Sequence, residues 1–263
     1  MNTIITTQSD TETLPVTDRA TQYGDGFFTT AKVANGIIEH FALHLARIKQ
    51  CAERLNFEGL EIDAISNAMH ANAKALGAGV LKVLISRGSG GRGYQAPSDP
   101  TYRVHVSNFE IPSHYSDLAV NGVVLHTLET RLGLNPLLAG LKTLNRLEQV
   151  LIKNEISAKG YEEGLVLNLN NEVIESSVAN ILLLKDDKLY TPCLKLSGIQ
   201  GVYLSFLKTQ HTIVETHLTL AACYEADALF CCNSLMGLVP VKQLDHHHFN
   251  LYRAHAWIKQ GQV

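Results

Sequence analysis

Apolar residues recur along the first hundred positions at spacings that alternate between those of strands and helices. The run "FFTTAKVANGIIEHF" contains Asn35-Gly36 between two strand-like stretches, which predicts a β-hairpin. Apolar residues then recur at spacings of four and three, which predicts a helix; they are Phe41, Leu45, Ile48, Ala52 and Leu55. A second helix is predicted near 61–77, followed by strands at "VLKVLIS" and "YRVHVSNF". The pattern indicates a compact α+β unit.

The segment "EIPSHYSDLAVNG" is polar, contains Pro112 and interrupts this pattern. We therefore predict an inter-domain connection at 111–120, with a smaller domain at 1–112 and a larger one at 113–263. Beyond it, short apolar runs bounded by Gly, Asn or Asp predict strands; they are "VVLHTLE", "GLVLNLN", "ANILLLK", "KLYTP", "TIVETHL" and "DALFCCN". Helices are predicted at 144–159, 201–210 and 250–260. The fold class is α/β.

The composition is that of an ordinary globular chain of 263 residues, with 46% hydrophobic and 18% charged residues and a net charge of −3. A basic stripe with interleaved aromatic residues is missing from the sequence, so no nucleic-acid partner is expected. Apolar runs are shorter than the roughly 20 residues that span a bilayer, and the N-terminus has no signal-peptide core. We expect a cytoplasmic protein without a membrane partner.

Cysteine and histidine usage does not indicate a metal site. The five cysteines include no C-x-x-C pair, so we predict reduced core residues rather than disulfides or a zinc site. The run His246–His248 follows Asp245 in a polar connection and has no spaced partner set, so it is interpreted as a solvated loop.

The stretch "LLAGLKTLNRLEQV" places Lys142 among apolar residues. Desolvation lowers the pKa of a lysine and exposes its lone pair, so Lys142 is a candidate covalent nucleophile. A lysine at a helix start whose amine reaches water is the alternative that the stretch alone leaves open.

Three other features bear on this choice. Glu175 follows a predicted turn and precedes a buried strand, where a carboxylate could hold a ring nitrogen protonated. Arg47 lies on a predicted core helix and could bind a phosphate, although taken alone it is better explained as a residue that covers the helix surface. Gly198 and Gly201 open a predicted helix whose free N–H groups suit a phosphate. Lysine, carboxylate, arginine and helix N-terminus together are what pyridoxal 5'-phosphate requires.

The motifs "YGDGFFTT", "LHLARI", "GLKTLNRLEQV", "VIESSVAN", "GIQGVY" and "CCNSLMGLVPV" occur in this order along nearly the whole chain. They resemble the fold-type IV, or class-IV aminotransferase, family of pyridoxal-phosphate enzymes. That family includes branched-chain aminotransferases, D-amino-acid aminotransferases and aminodeoxychorismate lyases. Within it, "RATQYGDGFFTTAKV", "ISRGSGGRGY" and "LAGLKTLNRLEQVLIKNE" resemble the lyases.

The resemblance implies a homodimer of two-domain chains, each with the cofactor in the cleft between its domains. Lys142 matches the lysine that binds the cofactor covalently, Glu175 the partner of the pyridine nitrogen, and Arg47 a phosphate ligand. The remaining phosphate contacts implied are the backbone amides of Val202 and Tyr203 and the hydroxyl of Ser234.

The activity implied is conversion of 4-amino-4-deoxychorismate to 4-aminobenzoate and pyruvate, a step of folate biosynthesis. Thr30 is a candidate for assisting proton transfer, with a plain strand threonine as the alternative. Candidates for binding the substrate carboxylates are Arg87, Arg92 and Tyr94, with an exposed basic loop as the alternative. The sequence leaves open whether Arg131 and Asn145 contact substrate.

Two positions depart from the branched-chain aminotransferases, which have a tyrosine where this chain has Leu147 and usually an arginine where it has Leu204. The first departure argues against that transaminase activity. A D-amino-acid or branched-chain transaminase remains the alternative enzyme, and a cofactor-free scaffold with this fold is the alternative of another class.

Overall fold

The structure is a computed structural model that describes residues 2–7, 14–90 and 93–260. Its contacts divide the chain into two compact units. The first comprises Met1–Ile111 together with Leu141–Asn145, and the second comprises Pro112–Gly140 together with Arg146–Val263. Each unit has its own sheet and its own hydrophobic core.

The first unit contains a sheet with the strand order β1-β5-β4-β2-β3. Its strands are β1 (Asn2–Thr7), β2 (Gly26–Ala34), β3 (Ile37–Ile38), β4 (Gly79–Ser86) and β5 (Thr101–Phe109). Its helices are α1 (Arg19–Tyr23), α2 (Phe41–Arg54) and α3 (Ile62–Leu76). In β2 alternate residues are buried, so one face of the strand packs against the core to which Ile48 of α2 and Ile65 of α3 contribute.

The predicted elements of this unit are confirmed. β2 and β3 form the antiparallel hairpin, and Asn35 and Gly36 both have positive φ values, 53° and 72°, as a two-residue hairpin turn of the I′ type requires. The predicted helix from Phe41 is α2, the helix near 61–77 is α3, and the two predicted strands are β4 and β5.

The second unit contains the strands β6 (Val123–Leu132), β7 (Glu163–Asn168), β8 (Val173–Ser176), β9 (Asn180–Lys185), β10 (Lys188–Pro192), β11 (Ile213–Thr216), β12 (Ala228–Asn233), β13 (Gly237–Leu244) and β14 (His247–His248). Its helices are α4 (Tyr115–Asn121), α5 (Leu147–Lys159), α6 (Val202–Gln210), α7 (Leu220–Tyr224) and α8 (Leu251–Gln260). The strand order is β11-β10-β9-β12-β13-β6-β7-β8, and an additional pairing of β8 with β9 closes a ring. One hydrophobic cluster includes residues of α5, α6 and α8, and another includes Leu125, Leu165 and Val239 from strands of the ring.

Three boundary predictions are corrected. The polar connection predicted at 111–120 contains the helix α4, which the sequence hides because only Leu118 of this short helix packs on the core. The helix predicted at 144–159 begins at Leu147, because the preceding residues pair with β2. For the same reason Lys142 groups with the first unit, whereas the sequence placed it in the larger domain.

Four of the five cysteines are core residues, as predicted, whereas the histidine run differs from its prediction. All five cysteines are free thiols, and four of them are buried, while Cys193 is half-buried. His247 and His248 form the short exposed strand β14 rather than a loop. Within residues 2–7, 14–90 and 93–260, no cluster of side chains could hold a metal ion, and no helix is long and apolar enough to cross a bilayer.

Candidate active site

Lys142 lies on a short segment that pairs with the beginning of β2. The Phe28 N–H donates to the Lys142 carbonyl at 2.9 Å, and the Leu144 N–H donates to the Gly26 carbonyl at 2.9 Å. Glycine is required at position 26, because a Cβ atom there would lie 2.3 Å from the carbonyl oxygen of Ile85. The segment is therefore held as an additional edge of the first sheet.

The alternation of an extended chain explains why a lysine stands among apolar residues. Leu141 and Thr143 are buried at 0% and 1% exposure, so Lys142 between them points to the other side. Its Nζ lies 4.6 Å from the ring centroid of Phe28, a cation–π contact. Lys142 precedes α5 rather than starting it, so the helix-start alternative does not describe its position.

Arg47 and Cys51 lie one turn apart on α2 and face the same region. The main chain of Lys142 hydrogen-bonds the Cys51 thiol, and this bond and the nearby charges of Arg47 and Arg54 oppose the rise in the thiol's pKa that burial causes. Arg47 keeps part of its surface exposed, yet burial of the guanidinium lowers its pKa to about 10, so it stays charged at neutral pH. A desolvated cation suits an anionic ligand.

Thr30 lies on the same face of β2 as Phe28, because the buried residues of this strand alternate with them. The neighbouring Thr29 is fully buried, and its hydroxyl hydrogen-bonds Nδ1 of His44 at 2.7 Å. Burial and the charge of Arg47 lower the pKa of His44 to about 3, so this imidazole is neutral. The apolar spacing of α2 gave no signal for His44, which is as buried as its aliphatic neighbours.

Glu175 lies near the end of β8 and is 5% exposed. Its Oε2 accepts a hydrogen bond from the Ile199 N–H at 2.9 Å, and its Oε1 lies 3.5 Å from Nε2 of Gln149 on α5. Arg146 is near enough for the Glu175 charge to counteract part of the lowering that burial causes in the arginine's pKa. The carboxylate thus has a fixed orientation and a cationic neighbour.

α6 begins at Val202, directly after Gly201. The first N–H groups of an α-helix have no partner within the helix, and the helix dipole adds positive potential there. Val202 is buried and Tyr203 half-buried, so the main chain at this end is enclosed. In the loop after β12, the Asn233 side chain accepts hydrogen bonds from the N–H groups of Leu235 and Met236 at 2.9 Å each, which fixes the turn that carries Ser234.

Arg87 is a structural residue, which corrects its prediction as a substrate ligand. Its Nε donates to Asp25 at 2.8 Å, its other nitrogens donate to the carbonyls of Leu55 and Asn56, and the guanidinium stacks 4.0 Å from the Phe57 ring centroid. Asp25 draws this side chain into the core, where it is 7% exposed.

The other two predicted substrate ligands are Arg92 and Tyr94, and the structure describes only Tyr94. Arg92 lies outside the described residues. Tyr94 is 86% exposed, and its carbonyl, with those of Gly93 and Gln95, accepts hydrogen bonds from the buried Arg19. The loop is therefore anchored by its main chain, which leaves the phenol ring of Tyr94 at the surface.

Asn145 and Arg131 both make contacts within their own units. The Asn145 amide donates to the Tyr23 carbonyl at 3.1 Å, and Arg131 donates to the carbonyls of Leu128 and Glu129. These bonds give both residues a structural function.

A cavity of about 290 Å³ lies within the second unit. Polar side chains on its wall include His114, Tyr115 and Glu163, and its apolar wall includes Met236 and Val178. Val178 belongs to the turn that directly follows β8. The cavity therefore borders the strand that carries Glu175.

The family described as amino-transferase class IV matches residues 26–244. The chain belongs to the class IV aminotransferase family. It is 41% identical to an aminodeoxychorismate lyase of Vibrio harveyi over 234 residues, which cover 87% of this chain and 86% of the relative. A crystal structure of 4-amino-4-deoxychorismate lyase from Pseudomonas aeruginosa is similar with a TM-score of 0.88 and 36% identity, covering 95% of this chain and 96% of that one. A D-alanine aminotransferase of Listeria monocytogenes is 26% identical over 89% of this chain and 83% of its own.

The residues present fit the cofactor of the class IV aminotransferase family. The first unit contains the amine of Lys142 and the desolvated guanidinium of Arg47. The second unit contains the buried carboxylate of Glu175 and the N-terminus of α6. An aldehyde, a phosphate and a protonated pyridine are the groups that such donors match.

The two positions that depart from the branched-chain aminotransferases, Leu204 and Leu147, differ in burial. Leu204 is fully buried in the cluster that packs under α6, so an apolar residue completes the core at this position. Leu147 is 71% exposed at the start of α5.

Proposed function

We propose that this chain is a pyridoxal-phosphate-dependent lyase that converts 4-amino-4-deoxychorismate to 4-aminobenzoate and pyruvate. The observation that carries the proposal is the 41% identity to the Vibrio harveyi lyase over 87% of the chain. Supporting it, the lysine that such chemistry needs lies on an ordered edge segment rather than in a flexible loop. The step belongs to folate biosynthesis.

Lys142, Glu175, Arg47, the amides of Val202 and Tyr203, and the hydroxyl of Ser234 are the proposed cofactor ligands. Pyridoxal phosphate supplies an electron sink when it is bound. Glu175 keeps the pyridine nitrogen protonated, because a buried carboxylate stabilises a nearby positive charge. Arg47 and the start of α6 compensate the phosphate charge.

Lys142 is the proposed base. Its Nζ removes the proton from the substrate ring carbon that bears the amino group, and Thr30, on the face of β2 shared with Phe28, is the proposed proton relay. The ring C–O bond to the enolpyruvyl ether then breaks, the ring becomes aromatic, and the departing enolpyruvate takes up a proton at its CH2 carbon to become pyruvate. Since aromatisation is strongly downhill, orientation and proton transfer are the main tasks of the protein.

Substrate carboxylates require cationic or hydroxyl donors. Arg92 and Tyr94 remain our candidates, because the loop that carries Tyr94 is anchored through its main chain and leaves the phenol available. Arg87 is no longer a candidate, since its nitrogens are engaged within the core.

We propose that the chain acts as a homodimer in the cytoplasm. α5 exposes three apolar residues at helical spacing; they are Leu147 at 71%, Val150 at 51% and Leu151 at 52%. A contiguous exposed apolar stripe is typical of a protein interface, and a second copy of the chain would bury it. Sedimentation of the purified protein at micromolar concentration tests the dimer.

The decisive experiment supplies enzymatically prepared aminodeoxychorismate to the purified protein and follows 4-aminobenzoate by its fluorescence. We expect release that depends on pyridoxal phosphate and is abolished in Lys142→Ala. D-alanine and branched-chain amino acids with an oxo-acid acceptor serve as comparison substrates. Turnover of these, without 4-aminobenzoate release, would instead establish the transaminase alternative.

A further inference from the structure

Two side chains of one hairpin hold the backbone of Ile199. The Ile199 N–H donates to Oε2 of Glu175 at 2.9 Å, and Nδ2 of Asn180 donates to the Ile199 carbonyl at 2.8 Å. Glu175 and Asn180 are Cα partners in the antiparallel pair of β8 and β9, and each is 5% exposed. The hairpin therefore hydrogen-bonds both the N–H and the carbonyl of Ile199.

The opposite edge of the same segment is also fixed. Gly140 donates its N–H to the Gly198 carbonyl at 3.0 Å and accepts the Gln200 N–H at 3.0 Å. In an extended chain, the polar groups of one residue point to one side and those of its neighbours to the other. Ile199 is thus held from both sides, which leaves its peptide groups little freedom to rotate.

Asn180 also packs against the residue from which α6 starts. A Cβ atom at Gly201 would lie 2.0 Å from Oδ1 of Asn180, so the asparagine amide occupies the space beside this glycine. Gly201 directly precedes Val202, whose N–H is a proposed phosphate donor. A shift of the Asn180 side chain would therefore move the start of α6.

The same hairpin also contacts the turn that carries Ser234, which is the second proposed phosphate-binding element. Nδ2 of Asn233 donates to the Val178 carbonyl at 3.2 Å, while the Asn233 oxygen caps the turn that carries Ser234. Val178 lies in the turn between Glu175 and Asn180. Both proposed phosphate-binding elements are therefore tied to the hairpin that supplies the pyridine carboxylate.

We infer that Asn180 is a positioning residue that couples Glu175 to the phosphate-binding start of α6. The inference rests on the proposed function, because the phosphate is that of pyridoxal phosphate. Asn180 hydrogen-bonds the Ile199 carbonyl, whereas Glu175 accepts the Ile199 N–H. Replacing Asn180 should therefore disturb the phosphate-binding start of α6 and leave the hydrogen bond between Ile199 and Glu175 in place. An aspartate would face that carbonyl with an acceptor, which the site cannot pair.

The test compares pyridoxal phosphate with pyridoxal, which lacks the phosphate, as ligands of the apoprotein. Absorbance titration gives both dissociation constants for the wild type, Asn180→Ala and Asn180→Asp. We expect affinity for pyridoxal phosphate to fall about tenfold in the variants while affinity for pyridoxal changes less than about twofold. Arg47→Ala, which removes a direct phosphate ligand, should reproduce this pattern.

Asn168→Ala is the matched control, because Asn168 is a fully buried asparagine of the same unit whose amide bonds Glu172. Asn168→Ala should lower the melting temperature and leave unchanged the ratio of the dissociation constants for pyridoxal phosphate and pyridoxal. If Asn180→Ala fails to fold, Gly201→Ala provides a second test, because the added methyl group displaces the asparagine from the other side. This variant should weaken pyridoxal phosphate binding relative to pyridoxal binding by the same factor.

An unchanged ratio in folded Asn180 variants, or an equal loss of both ligands, overturns the inference while the proposed function stands. Failure of the wild type to bind pyridoxal phosphate overturns the proposed function and the inference with it.

Discussion

The two units support their proposed cofactor ligands by different physical means. In the first, the residue before β2 is Asp25, which accepts hydrogen bonds from the buried Arg19 and Arg87, so charges fix the strand that pairs with Lys142. In the second, Glu175 and Asn180 hold main-chain groups by single hydrogen bonds. Removing one partner of a buried ion pair costs several kcal/mol, about 3–5, whereas a typical hydrogen bond contributes about 0.5–1.5. Substitutions around Asp25 should therefore affect folding, and those around Ile199 should affect cofactor binding.

The largest effect is expected at Lys142. Lys142→Ala removes the only amine that we propose for proton transfer, so turnover should fall by at least about four orders of magnitude, a barrier increase of about 5 kcal/mol. Stopped assays of 4-aminobenzoate release measure it, and the visible band of the lysine-bound cofactor should disappear. Lys153→Ala is the control, because Lys153 is half exposed and pairs with Glu163. Borohydride labelling of a lysine other than Lys142 would contradict the assignment.

Glu175→Gln tests the second unit in the same assay. The near-isosteric amide cannot stabilise a protonated pyridine, so turnover should fall by about a hundredfold or more, roughly 3 kcal/mol. Cofactor should remain bound through Lys142 and the phosphate ligands. Near-normal turnover in this variant would mean that the reaction does not need the carboxylate.

Arg87→Met tests whether the first unit depends on buried charge. Asp25 keeps Arg19 as a partner, so we expect a loss of about 2 kcal/mol in the free energy of unfolding, less than the roughly 3–5 kcal/mol for a buried pair that is broken completely. Urea denaturation of the apoprotein measures it. Arg103→Met should cost less, because Arg103 is more exposed and lies 3.8 Å from Asp18. Equal losses for both variants would mean that burial of the charge does not set the cost of its removal in the first unit.

The smallest expected effect concerns pH. His44 has its pKa lowered to about 3 by burial, from 6.5 when exposed, so the unfolded chain binds a proton that the folded chain excludes. Stability from this group is present above pH 6.5 and is lost as the pH falls toward 3. Between pH 7 and pH 6 the loss is about 0.7 kcal/mol. His44→Gln should flatten this part of the stability profile, and an unchanged slope would contradict the assignment.

Local signals predicted much of the fold. Asn35-Gly36 specifies its own turn, and the spacing of Ile48 and Ala52 specifies the buried face of α2. The resemblance identifies Lys142, Glu175 and Arg47, but it does not describe the residues that surround them. Those depend on residues far apart in the chain.

Two errors illustrate this dependence. The glycines beside Arg87 predict a loop residue available to substrate, yet Asp25, 62 residues away, draws Arg87 into the core. The position of the lysine segment in the chain predicts that it belongs to the larger domain, yet its hydrogen bonds join it to β2. The motif "VIESSVAN" contains Asn180, but only the structure places its amide on Ile199.

The order of pairing in both sheets constrains how the chain can fold during its own synthesis. The first unit lacks one edge until Leu141–Asn145 have been made, although most of its residues end at Ile111. In the second unit, Val123 of β6 pairs with Val241 of β13, so the ring of strands cannot close until nearly the whole chain has left the ribosome. The edge of β6 that pairs with β13 therefore remains unpaired until a strand more than a hundred residues later has been made, although β7 can pair with the other edge earlier. Chaperone demand should therefore be highest late in translation, and truncated chains that lack β13 should aggregate.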